Sequence, residues 1–168
     1  DLKRLLHGNE VQQDLLGFVT AAGGGLSVRD LAELTGASPW QVEEDLRTTA
    51  GRSFARRPGE PPVHLLAHEQ LHGLAVEMLG PRLRSYHERL DRWAITYRTR
   101  GWPPDTPRYL LQGHASLLAA TGDRQRLLNH VTDARRHEAA YSAFGHHHAS
   151  VREIETAQAV FLGDDEPD

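Results

Sequence analysis

The 168-residue chain contains no cysteine. That excludes disulfides and thiolate metal sites, so any metal would have to rest on histidine and carboxylate side chains. No apolar run approaches the ~20 residues a spanning helix needs, and no basic-then-apolar leader opens the chain. The expectation is a cytoplasmic protein that does not enter a membrane. Positive charge is not in excess either: 19 Lys and Arg stand against 23 Asp and Glu, a net charge of -4. This offers no general attraction to nucleic acid or to an anionic lipid surface. The phosphate-cradling loop G-x-x-x-x-G-K-[S/T] is absent too, so the chain cannot hydrolyse ATP alone. It begins Asp1-Leu2-Lys3-Arg4-Leu5-Leu6-His7, already in helical period, and reads as a segment of a longer polypeptide.

What is present is mostly helix punctuation. Residues 1–8 read as the end of a preceding helix stopped near Gly8. Asn9 with Gln12 forms a capping box, and Val11, Leu15, Phe18, Val19 and Ala22 give a 3.6-residue stripe ending in Gly23-Gly24-Gly25. Ser27 with Asp30 opens a short helix that stops at Gly36. Ser38-Pro39-Trp40-Gln41 is a third capping box, opening a helix that runs towards Gly51 with proline at its first position. Two helices joined by a tight turn have helix-turn-helix spacing. Strands are expected at about 52–57 and 63–67, around the turn-forming run Pro58 to Pro62. Three helices and one β-hairpin make a winged helix-turn-helix, placed at residues 9–80.

Residues 81–163 read as a helical arm. Leu83, Tyr86, Leu90, Trp93 and Tyr97 share one helix closed at Gly101. Thr106-Pro107 caps a helix with Leu110, Leu111, Leu117 and Leu118, and Asp123 starts one with Leu127, Leu128 and Val131. Ala140, Tyr141 and Phe144, then Val151, Ile154, Gln158 and Phe161, mark two more. Short linkers predict antiparallel packing as a bundle or the start of a solenoid, and the acidic end at 164–168 reads as a disordered tail. The fold class is mainly α. Trp40, Trp93 and Trp102 are expected to pack in the core or between helices.

Several patterns bear on chemistry. His68-Glu69-Gln70-Leu71-His72 has the H-E-x-x-H spelling of a zinc hydrolase helix, but Ala75 and Met78 stand where the extended form has Gly and His. A third ligand from a later helix, Glu88 for example, would be required; otherwise His68 and His72 only satisfy hydrogen bonds. His64 lies one four-residue step earlier, on the expected strand. His146-His147-His148 reads as a solvated loop. The second helix of the helix-turn-helix carries Glu43, Glu44 and Asp45 against Arg47, which disfavours specific DNA binding, although Arg52, Arg56 and Arg57 on the hairpin partly compensate. Arg82, Arg84, Arg89, Arg92, Arg98, Arg100 and Arg108 face Glu88, Asp91 and Asp105, and read as a solvated helix face.

The order of a winged helix, then LLAHEQLHGLAVEML, then YHERLDRWAITYRTRGWPPDTPRYLLQGHASLL, resembles the segment that follows the nucleotide-binding core in bacterial STAND-class signalling ATPases. That group includes NACHT-type and apoptosome-type switches. Arg100-Gly101-Trp102-Pro103 followed by Thr106-Pro107-x-Tyr109-Leu110-Leu111 is similar to the helical stretch of actinobacterial members. The resemblance implies a regulatory, non-catalytic segment that closes over ADP at rest and couples an NTPase core to C-terminal sensor repeats, with homo-oligomerisation on activation. A histidine after the wing, in a pattern like F-x-H-x-S-F-x-E, would approach the β-phosphate of ADP. His68 takes that position, with Leu66 in place of the aromatic and Gly73 in place of the glutamate. ADP or ATP is then a cofactor of the full-length parent, none is expected on this chain alone, and no metal is expected. The alternatives are a fragment of a DNA-binding winged-helix regulator and a zinc-dependent hydrolase built on His68 and His72.

Overall fold

A computed structural model describes residues 2–163; the acidic end at 164–168, expected to form a tail, lies outside them. The elements follow from their caps. α1 spans Leu2–Leu6. α2, Glu10–Ala22, opens on a complete capping box in which the Asn9 side chain accepts from the Gln12 N–H and Gln12 answers to the Asn9 N–H. It ends where Gly23 turns left-handed at φ 70°, a conformation that costs glycine no Cβ clash. α3, Val28–Thr35, repeats the device with Ser27 and Asp30 and stops at Gly36. α4, Pro39–Thr48, is capped from one side only, by Ser38 accepting from the Gln41 N–H.

Strands β2, Phe54–Arg57, and β3, Val63–Leu66, form the expected hairpin, with Arg56 opposite His64. The sequence reading of one hairpin is corrected by a third strand. β1, Leu26–Ser27, pairs antiparallel with β3, so the sheet runs β1-β3-β2. Two residues are too few to show a period of two, and Ser27 is already extended because it serves as the N-cap of α3. The chain ahead of β2 is a 3-10 turn, Gly51–Ser53, where a strand start was expected. α5 spans Glu69–Leu79 and α6 Arg82–Thr99.

The described chain divides into two compact units, one up to Trp93 and the other from Ala94. The sequence reading divides it at 80/81, the break between α5 and α6. The first unit extends further because α6 is fastened to α2 and α3. Tyr86 donates to Asp14 at 2.9 Å, Arg89 makes a two-pronged contact with the same carboxylate at 3.1 and 3.2 Å, and Trp93 Nε1 donates to Glu33 at 2.9 Å. The Tyr86 ring packs edge-on to Phe18 and lies so close to α2 that a Cβ on Gly17 would meet it at 2.2 Å. Burial, then the hydrogen bond to Asp14, raises the Tyr86 hydroxyl to about 12, so it stays a donor throughout the working range. Leu15, Leu16, Phe18, Leu26, Leu31 and Val42 are fully buried around this anchor. Each contributes roughly 1.5–3 kcal/mol of burial.

In the second unit the single helix expected after Thr106 is two, α7, Arg108–Gln112, and α8, His114–Thr121. They break at Gly113, where a Cβ would press the Tyr109 ring at 2.9 Å. Thr106 does not cap α7; its hydroxyl donates to the Pro103 carbonyl, and Pro107 precedes the helix without a side-chain cap. α9, Arg124–Val131, and α10, Ala134–Phe144, are capped by Asp123 and Asp133, and α11 spans His148–Leu162. The stripe expected on α11 is offset. Val151 and Ile154 are exposed, and the helix buries Ala149, Ser150, Glu153 and Ala157. The reason is an ion pair that counting apolar residues cannot see. Arg136, fully buried, binds both carboxylate oxygens of Glu153 and also donates to the carbonyls of Leu110, Leu111 and His130.

Trp93 and Trp102 are buried as expected, but Trp40 is 69% exposed at the start of α4, contrary to the packing role read for it. A residue at the second position of a helix faces whichever side the cap dictates, and here that side is solvent. Trp102 carries the one positive φ among the described non-glycine residues, 55°, held by its ring N–H donating to Asp133 at 2.8 Å. The described residues contain no helix long and apolar enough to cross a membrane.

Candidate functional site

His68 stands at the junction of β3 and α5. Its backbone is extended, φ -141° and ψ 149°, so it is the N-cap of α5 and not a residue within it. Its carbonyl accepts from the His72 N–H at 3.1 Å, while its exposed side chain makes no capping hydrogen bond. The first amides of α5 therefore lack the side-chain acceptor that Asn9, Ser27 and Ser38 supply elsewhere. Imidazole and uncapped N–H groups together suit an anionic ligand.

The zinc spelling has a different geometry from a hydrolase helix. There both histidines lie on one helical face, one turn apart. Here only His72 is on the helix. Glu88, considered as a third ligand, pairs with Arg84 at 3.6 Å. Among the described residues no three His, Asp or Glu side chains come together in a way that could hold a metal ion.

His64 is half-buried on β3, paired across the sheet with Leu26 and Arg56. Burial first, and then the Arg56 guanidinium, hold its pKa below the usual 6.5, with Glu43 opposing; the ring is neutral at pH 7. It lines an open groove of about 610 Å³ between α4, the start of α3 and the hairpin, together with Arg29, Glu43, Arg47 and Arg56. The acidic face read for α4 is weaker than expected. Asp45 turns inward and accepts from Gln12 and Gln41 at 3.1 and 3.0 Å, and Glu44 is taken up by Arg47 at 2.9 Å.

The arginine-rich stretch is not uniformly a solvated face. Arg89 is drawn in by Asp14 and stacks over Phe18 at 4.5 Å, whereas Arg84 and Arg100 pair on the surface with Glu88 and Asp105. Of the three exposed histidines, His146 and His147 lie in the bend before α11 and His148 is its first residue; His147, the N-cap, stacks on Tyr141 at 4.5 Å, and His146 stacks on His148 at 4.3 Å. Sequence reasoning missed His130. It is 8% exposed, edge-on to Trp102 and His114, and within the described residues its Nε2 has no hydrogen-bond partner. Burial above all, then the Arg136 charge, holds its pKa well below the usual value. A histidine at the last turn of an ordinary amphipathic helix gives no sequence signal of this.

The chain matches no family model, and no curated protein and no solved structure shows significant similarity to it.

Proposed function

We propose that the chain is the regulatory, non-catalytic part of a cytoplasmic nucleotide-switched protein of the STAND class, a winged helix followed by a helical arm. The observation that carries this reading is His68: an exposed imidazole on the N-cap of α5, directly after β3, beside amides that no side chain caps. The element order helix, short strand, two helices, hairpin, with sheet order β1-β3-β2, supports the winged helix. In the resting parent, His68 would donate to the β-phosphate of ADP, with the partial positive charge of the helix end adding to it. The helices beyond would carry the state of that contact to sensor repeats, and activation would assemble copies of the parent.

The DNA-binding alternative has less support, because α4 presents Glu43, Glu44 and an exposed Trp40 where base-reading side chains would stand. The hydrolase alternative has no third ligand beside His68 and His72 among the described residues. The test is the longer polypeptide. The gene should encode a Walker A loop upstream of this segment, and the purified product should carry bound ADP; a product with neither would end the proposal. The isolated chain should bind nucleotide only weakly, since most phosphate contacts would come from that loop.

A further inference from the structure

Three arginines of the first unit answer to a carboxylate: Arg47 to Glu44, Arg84 to Glu88, Arg89 to Asp14. Arg29 and Arg56 do not. Neither has a carboxylate within ion-pair distance among the described residues, yet both line the groove between α4 and the hairpin. Asp30, next to Arg29 in the chain, gives its carboxylate to the Ser27 N–H. Val28, Leu46, Phe54, Pro61 and Pro62 give the groove an apolar lining, shared with Glu43 and Arg47. β2 contributes Phe54, Ala55 and Arg56 to the lining, β1 contributes Ser27 and β3 contributes His64. Two arginines without a carboxylate partner in a groove that also has an apolar lining match a chain that carries both acidic and apolar side chains.

We propose that this groove docks an acidic segment of a partner polypeptide, its carboxylates on Arg29 and Arg56 and an apolar side chain over Leu46 and Phe54. A nucleic-acid backbone fits less well. It has nothing to lay on the apolar floor.

The probe is a fluorescein-labelled peptide alternating Glu with Leu and Phe, titrated with the chain and followed by anisotropy. A peptide with Lys in place of each Glu and a duplex of about 20 base pairs serve as comparisons. Saturable binding of the acidic peptide is expected, weakened about tenfold in Arg29→Ala/Arg56→Ala and strongly reduced at about 0.5 M salt. Arg29 and Arg56 are both exposed, so the variant should keep the wild-type circular dichroism spectrum and melting temperature. Unchanged peptide binding by that variant would overturn the proposal. So would equal binding of the lysine peptide, or no binding of the acidic peptide at millimolar concentration. Tighter binding of the duplex, lost in the same variant, would assign the groove to nucleic acid instead.

Discussion

Replacing Arg136 by methionine keeps most of the side chain's length and removes its charge. The guanidinium makes two hydrogen bonds to Glu153 and four to the carbonyls of Leu110, Leu111 and His130, with the pair 0% and 3% exposed. Arg136→Met leaves Glu153 buried without its counter-charge, which costs about 3–5 kcal/mol. For a unit of this size about 1 kcal/mol lowers the melting temperature by 4–8 °C, so the second unit should melt roughly 12–40 °C earlier. The double variant Arg136→Met/Glu153→Leu removes both charges and should recover most of the loss, to within about 2 kcal/mol of the parent, because an apolar pair of similar volume avoids desolvating ions. Urea and thermal unfolding followed by far-UV circular dichroism at pH 7.5 measure both. A single variant costing under about 1 kcal/mol, or a double variant as unstable as the single, would refute the reasoning.

Further expectations concern protons and packing. His130 has a depressed folded pKa, so the unfolded chain takes up a proton first as pH falls below about 6.5; stability is full above that value and is lost below it, at up to about 1.4 kcal/mol per pH unit. His130→Phe should flatten that slope between about pH 6.5 and 5, and an unchanged slope in urea titrations would count against the buried neutral ring. Gly17→Ala gains about 1 kcal/mol of helix propensity but drives a Cβ into the Tyr86 ring, which Asp14 and Phe18 hold in place. The net result should be a loss of about 1–3 kcal/mol in chemical denaturation, and a stabilised variant would show that the ring moves freely.

How far the sequence carries is visible element by element. The capping boxes at Asn9 and Ser27 and the left-handed glycines at positions 23 and 36 were legible, because each is a local device written within four residues, whereas the box read at Ser38 forms only one side because Gln41 turns to Asp45. β1 was not, since its partner lies in the hairpin far along the chain. Nor was the register of α11, which is set by Arg136 reaching Glu153 seventeen residues away. Spacing placed Trp93 and Trp102 in the interior but could not separate them from the exposed Trp40. At the candidate site the sequence pointed to His68 and His72 together. The structure puts them in different roles, His68 at the N-cap and His72 inside the helix. His130 needed three-dimensional neighbours to be noticed at all.

The phosphate-contacting role of His68 is tested most directly by the rate at which ADP leaves the full-length polypeptide carrying His68→Ala, with His72→Ala as the control. A hydrogen bond to a charged group is worth roughly 1.5–3 kcal/mol, so His68→Ala should release ADP about ten- to a hundredfold faster while melting at the parent's temperature, and His72→Ala should leave the rate unchanged. Equal release from the two variants, or a His68→Ala protein that simply unfolds, would make the histidine structural and contradict the proposed role.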